Sequence, residues 1–134
     1  MKYFVALFIA LVLNATANLL MKVGMKSVEG SGGILRSGAV GAIKIVVTSW
    51  PLLIGLTCFA LNAGFYMYAL QSKTLKISLA YPIMVGGGFA LIALAARLHP
   101  ALAERLTAGQ LAGIALVLVG IVLIASQMDA AEAV

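Results

Sequence analysis

Asn14, Asn18 and Lys22 recur every four residues, a spacing that puts them on one face of a helix. Two carboxamides that end in an ammonium can hydrogen-bond hydroxyl groups and hold an anion such as a phosphate. Asn62 and Tyr66 repeat the spacing of four farther along, and Tyr81 can join them. None of these groups can hold a proton or sodium ion in the way that an intramembrane carboxylate does. Each also has a plainer reading. Asparagines inside spans bond neighbouring helices for about 1 kcal/mol each, a lysine at a helix end snorkels, and amphipathic tyrosines are common in spans.

The groups that bond-breaking chemistry needs are missing from the pattern. Cys58 stands alone inside an apolar run, and His99 stands beside Pro100 in a loop. A single thiol builds neither a disulfide framework nor a metal site, so Cys58 reads as packing. No phosphate-binding glycine loop, metal-ligand cluster or nucleophile with a base partner is visible. We therefore expect neither enzymatic activity nor a cofactor.

The elements that carry the polar groups are apolar runs. Residues 3–21, 51–70, 79–96 and 108–128 are each long enough to cross a bilayer and contain no Asp or Glu. With 63% apolar residues and a mean hydropathy of +1.14, the chain is too hydrophobic for a soluble domain of 134 residues. Continuous runs suit helices and not barrel strands. The fold expected is an all-α membrane protein, a single domain of four transmembrane helices over roughly 3–27, 51–71, 76–97 and 107–128. The first run is read as a retained helix and not as a removable signal peptide.

Gly30, Ser31, Gly32 and Gly33 break the first helix. Residues 34–49 then mix apolar side chains with Arg36, Lys44 and Thr48, which suits a short amphipathic helix in the headgroup region or the frayed start of the second span. Trp50 is an interface-type aromatic, and Pro51 fits a first helical turn. A short link from Ser72 to Lys76 predicts antiparallel, adjacent second and third spans. In the third span Pro82, Gly86, Gly87 and Gly88 predict a kink or hinge. Thr107 is a candidate N-cap of the fourth span, Gly113 and Gly120 lie a heptad apart within it, and the tail after Met128 is expected to be disordered. Small residues at such spacing let membrane helices approach closely, in a dimer or within one subunit.

A net charge of +5 invites a nucleic-acid reading, but the nine basic residues are scattered at helix ends. Their distribution is topological. Lys22, Lys26, Arg36, Lys44, Arg97 and Arg105 fall in the first and third connections, and Lys2, Lys73 and Lys76 fall on the other side. The positive-inside tendency then places both termini outside and predicts one dominant orientation.

Leu20-Met21-Lys22 at the end of the first span, Ala80-Tyr81 followed by Gly86 and Gly88, Glu104-Arg105-Leu106-Thr107, and the Gly113 to Gly120 spacing together resemble the small multidrug resistance exporters and, more broadly, the EamA-like drug/metabolite transporters. Two departures stand out. Asn14 occupies the place of those exporters' essential membrane glutamate, and Met84 that of their third-helix tryptophan, so proton-coupled drug export is not what this likeness implies. The loop after the first span is also longer here. Ala80-Tyr81-Pro82 resembles the aminoarabinose lipid flippase subunits more closely.

That resemblance implies a bacterial-type inner-membrane transporter or flippase, moving a polyprenyl-phosphate-linked sugar or another polar metabolite. Four helices are too few to enclose a pathway, so a homodimer, or a heterodimer with a homologous chain, is expected among membrane lipids. Asn14, Asn18, Lys22, Asn62, Tyr66, Tyr81 and Met84 would line the substrate path. Pro82 and Gly86, Gly87 and Gly88 would form the hinge, and Gly113 and Gly120 the dimer contact. Export of a small neutral or cationic solute, and a non-transporting partner subunit of a membrane complex, are the alternatives.

Overall fold

The computed structural model describes residues 1–29, 38–98 and 105–131. Among them are five helices: α1 (Lys2–Glu29), α2 (Gly38–Thr48), α3 (Trp50–Ala69), α4 (Ile77–Leu98) and α5 (Ala108–Ala131). All but α2 are long and apolar enough to cross a membrane. At 1.5 Å per residue α3 is about 30 Å long, the thickness of a hydrocarbon core. Many of its large apolar side chains, such as Leu56, Phe59, Leu61 and Met67, are exposed, as expected where lipid and not protein covers a helix. The protein is a multi-pass, all-α membrane protein.

The packing order differs from the chain order. α1 packs extensively against both α3 and α4, whereas α5 packs on α4 and α2 on α3. The adjacency of α3 and α4 expected from their short link is thus corrected: α1 lies between them. They converge only near the turn, where Ala6, Leu7, Ala69, Leu75 and Ala80 form a buried cluster. Leu75 explains the geometry. The turn drives this side chain into the core, where it is 1% exposed, while the Ser72 hydroxyl accepts the Leu75 N–H at 3.2 Å.

Small residues set the α1–α3 approach. A methyl group added at Gly24 would come within 2.6 Å of Leu52, and one at Gly55 within 3.1 Å of Met21 and 3.2 Å of the Ala17 carbonyl oxygen. Without a hydrophobic force between helices in lipid, such close backbone contact is what holds them together.

Residues 30–37, with the glycine-rich break, and residues 99–104, with His99, Pro100 and Glu104, lie outside the described residues. α2 begins at Gly38, whose φ of +67° is left-handed backbone that glycine adopts without strain. It buries no residue and is nearly continuous with α3. The Ser49 N–H donates to Ile45 O at 2.9 Å, and the Leu53 N–H donates to Ser49 O at 3.0 Å, across the single extended residue that separates the helices. Pro51 falls in the first turn of α3, as expected.

The fourth span starts with a reciprocal cap. Thr107 N–H donates to Gln110 Oε1 at 2.8 Å, and Gln110 N–H donates to Thr107 Oγ1 at 3.3 Å, so two of the helix's unpaired donors are satisfied at once. At the other end α5 runs on to Ala131. Residues 132–134, the end of the tail expected to be disordered after Met128, lie outside the described residues.

Candidate functional site: polar seams along the first helix

α1 presents two faces to its neighbours. Ala6, Leu7, Ala10, Leu11 and Ala17 are buried; Ala17 lies against Gly55 of α3, Leu11 against Gly87 of α4, and Ala6 and Leu7 join the cluster that both helices share. Gly87 of α4 lies over Leu11, and Gly88 lies over Asn14: a Cβ at Gly88 would stand 3.3 Å from Asn14 Nδ2. Leu7, Leu11, Asn14, Asn18 and Lys22 are therefore one continuous stripe. It starts beneath α4 and emerges into the open, since Asn14 is half-buried while Asn18 and Lys22 are exposed.

The two asparagines are linked along that stripe. Asn18 Nδ2 donates to Asn14 O at 2.8 Å and reaches Asn14 Oδ1 at 3.5 Å. Thr16, which the sequence puts on another face, spends its hydroxyl on Val12 O at 2.8 Å. Such a back-bond satisfies a polar side chain within its own helix.

The second polar group lies in the α1–α3 interface. Leu52, Gly55, Asn62 and Ala69 are the buried residues of α3, all on the side facing α1. Asn62 is only 4% exposed. Its Oδ1 and the Tyr66 hydroxyl are buried with no hydrogen-bond partner. Asn62 lies twelve residues into α3 from Trp50, or roughly 18 Å along its axis, so this unsatisfied oxygen is deep in the span. Burying a polar atom unpaired costs about 1–3 kcal/mol.

The structure joins some of the expected residues and separates others. Tyr66 and Met84 pack together against the buried cluster at the turn end, with Ile83 beside them. Tyr81 is exposed. The Asn14–Asn18–Lys22 stripe runs along α1, past Gly88 of α4, and the Asn62–Tyr66 pair runs along α3, so they form two seams. Pro82 and the three glycines lie within an uninterrupted α4. There Gly86 gives room to α5, because an added Cβ would come within 2.7 Å of Val117 and still closer to Ile121. Among the described residues, Gly113 and Gly120 have nothing within 4 Å of an added Cβ. Gly113 instead lines an open groove between α4 and α5, of about 410 Å³, with Phe89, Ile92 and Val117.

Sequence reasoning missed Gly24, Gly55 and Leu75. The seven-residue spacing of Gly55, Asn62 and Ala69 was the available signal, because it marks one face of a helix. Nothing in the pattern marks Leu75, a leucine in a link otherwise made of polar residues.

No family model matches the chain, and no solved structure does. The uncharacterized protein y4nH of Sinorhizobium fredii is 33% identical to it over 116 residues, which cover 84% of this chain and 85% of that protein. The chain belongs to the y4nH family. The relative's description assigns no activity, so what this y4nH-family protein can do rests on its own side chains. Among the described residues no three His, Cys, Asp or Glu side chains gather where they could hold a metal ion. Carboxamides and phenols remain, groups that recognise hydroxyls and polar heads without changing charge.

Proposed function

We propose that the protein is a small transporter or flippase, acting as a dimer in a bacterial-type inner membrane, that moves a lipid-linked or other polar metabolite. The observation that carries this reading is the unpartnered pair of Asn62 Oδ1 and the Tyr66 hydroxyl deep inside a span. Lipid cannot satisfy such atoms, and a polar substrate head passing along the helices can. The open stripe of Asn14 and Asn18 supplies a second run of neutral groups, and Lys22 at its end would meet a phosphate near the membrane surface. Tyr81 and Met84 border the Tyr66 end of the path, and Pro82 with the α4 glycines is the point at which α4 would bend. Lack of a carboxylate among the seam residues favours a neutral or lipid-phosphate head over a cationic drug.

The pathway would lie between two copies, held together through α5. No residue of its spanning window is buried, and Gly113 and Gly120 leave its surface open to close approach by another helix.

Reconstitution tests the reading. Purified protein in liposomes should accelerate the transbilayer movement of a fluorescent polyprenyl-phosphate sugar, and the Asn14→Ala, Lys22→Ala double variant should lose most of that rate. Equal rates for wild type, variant and empty liposomes would refute it. Proton flux that depends on a small cationic solute would favour the exporter reading instead, and obligate co-purification with a homologous chain would favour a partner subunit.

A further inference from the structure

The start of α1 and the α3–α4 turn flank an open cavity of about 570 Å³, lined by Met1, Tyr3 and Phe4 on one side and by residues 71–74 on the other. It lies at the end of the bundle opposite Lys22 and shares no lining residue with either seam. Two features make its shape stable. Leu75 is buried in the core and the Ser72 hydroxyl holds its N–H, so the turn cannot swing away from α1. Tyr3 packs on Tyr68 with ring centroids 5.5 Å apart, which ties the first turn of α1 to the end of α3.

The lining mixes polar and apolar surface. Lys73 lines the cavity with Gln71, Ser72 and Thr74 on one side and Tyr3 and Phe4 on the other, and no carboxylate is among the lining residues. Lys2 is not itself a lining residue, but its ammonium lies 5.3 Å from the centre of the ring of Tyr3, which is, and so brings a second charge beside the lining. Tyr3 and Tyr68 have the amphipathic character of residues at the level of lipid headgroups, a level at which Lys2 and Lys73, close to them in the chain, would meet lipid phosphates.

We infer that this cavity is a binding site for a phosphate-bearing anion at the membrane surface, with the phosphate held between Lys2 and Lys73 and its glycerol or other polar group hydrogen-bonded by Ser72, Thr74 and Gln71. The inference holds whether or not the protein moves a substrate.

Lipid competition in nanodiscs tests it. The full chain in equimolar phosphatidylcholine and phosphatidylglycerol should retain phosphatidylglycerol preferentially when released into native mass spectrometry. The Lys2→Gln, Lys73→Gln double variant should lower that preference roughly fivefold or more, whereas Lys44→Gln, which removes one charge from α2, should leave it unchanged. Retention of the two lipids in equal amounts by wild type, or an unchanged preference in the double variant, would overturn the site. A phosphatidylglycerol carrying a photoreactive headgroup needs no variant at all: cross-links within residues 1–4 and 71–74 support the site, and cross-links confined to other segments sink it. Excess inorganic phosphate separates the sources. If it displaces the lipid, the site reads phosphate alone. If an excess of glycerol phosphate displaces the lipid where phosphate does not, the polar side chains read the headgroup as well.

Discussion

Gly88 of α4 stands directly over the Asn14 carboxamide of α1, leaving 3.3 Å between Asn14 Nδ2 and the place that a Cβ would take. One methyl group at that point makes the amide yield by a few tenths of an ångström, and a larger side chain must push it farther. Gly88→Ala should therefore fold with stability within about 1 kcal/mol of wild type, its gain in helix propensity offsetting the crowding. Gly88→Leu should displace Asn14 and abolish substrate movement in liposomes. Normal transport by Gly88→Leu would remove Asn14 from the path.

Tyr66→Phe separates stability from function. Removing a buried hydroxyl that has no partner should stabilise the protein by roughly 1 kcal/mol, read as a raised midpoint in thermal or denaturant unfolding. The same change should slow translocation, because the hydroxyl is lost to the substrate. A destabilised Tyr66→Phe variant would mean that the hydroxyl is already paired in the assembled protein.

The α4–α5 contact depends on Gly86. Gly86→Ala drives a methyl group into Ile121 and Val117, and overpacking of this kind costs about 1–3 kcal/mol. Ile121→Val removes the atom nearest the added methyl and should recover part of the loss. A double-mutant cycle measured by reversible unfolding checks this, and strict additivity would show that the two sites do not touch.

The four spans and the helix between the first two were legible because each carries a long-range compositional signal: uninterrupted apolar runs, with Trp50-Pro51 and Thr107 marking helix starts. The arrangement of the spans was harder to read. A short link between two helices suggests neighbours, yet Ala6, Ala10 and Ala17 give α1 a face smooth enough to come between α3 and α4. Close approach of this kind is written in small residues on two different helices, and a single helix read alone does not show its complement. Candidate site residues were legible as polar positions in apolar helices. Their division into two seams was not, because Asn14 and Asn62 lie on separate elements and only the rotation of α1 decides which face each one meets.

Orientation follows from the charged ends. With Cys58 replaced by serine, single cysteines at positions 44 and 73 should label from opposite sides of the membrane, position 73 from outside. Comparable labelling of either position from both sides would show that the protein inserts both ways.

Helix association through α5 can be tested in the same background. Gly113→Leu together with Gly120→Leu fills two positions that have no close neighbour among the described residues, so unfolding of the single chain should shift little while cross-linked dimer is lost. Unchanged dimer would place the contact elsewhere.

The central position of α1 also bears on biosynthesis. Its two partners follow it in the chain and have little interface with each other, so α1 reaches the bilayer well before anything can cover its two faces. Its completed environment has to wait until α4 has left the ribosome. During that interval the alanine face shows lipid almost no side chain, and the asparagines are partly occupied by the Asn18 to Asn14 bond. A helix so finished can sit alone in the membrane as a template, and the later hairpin then folds around it.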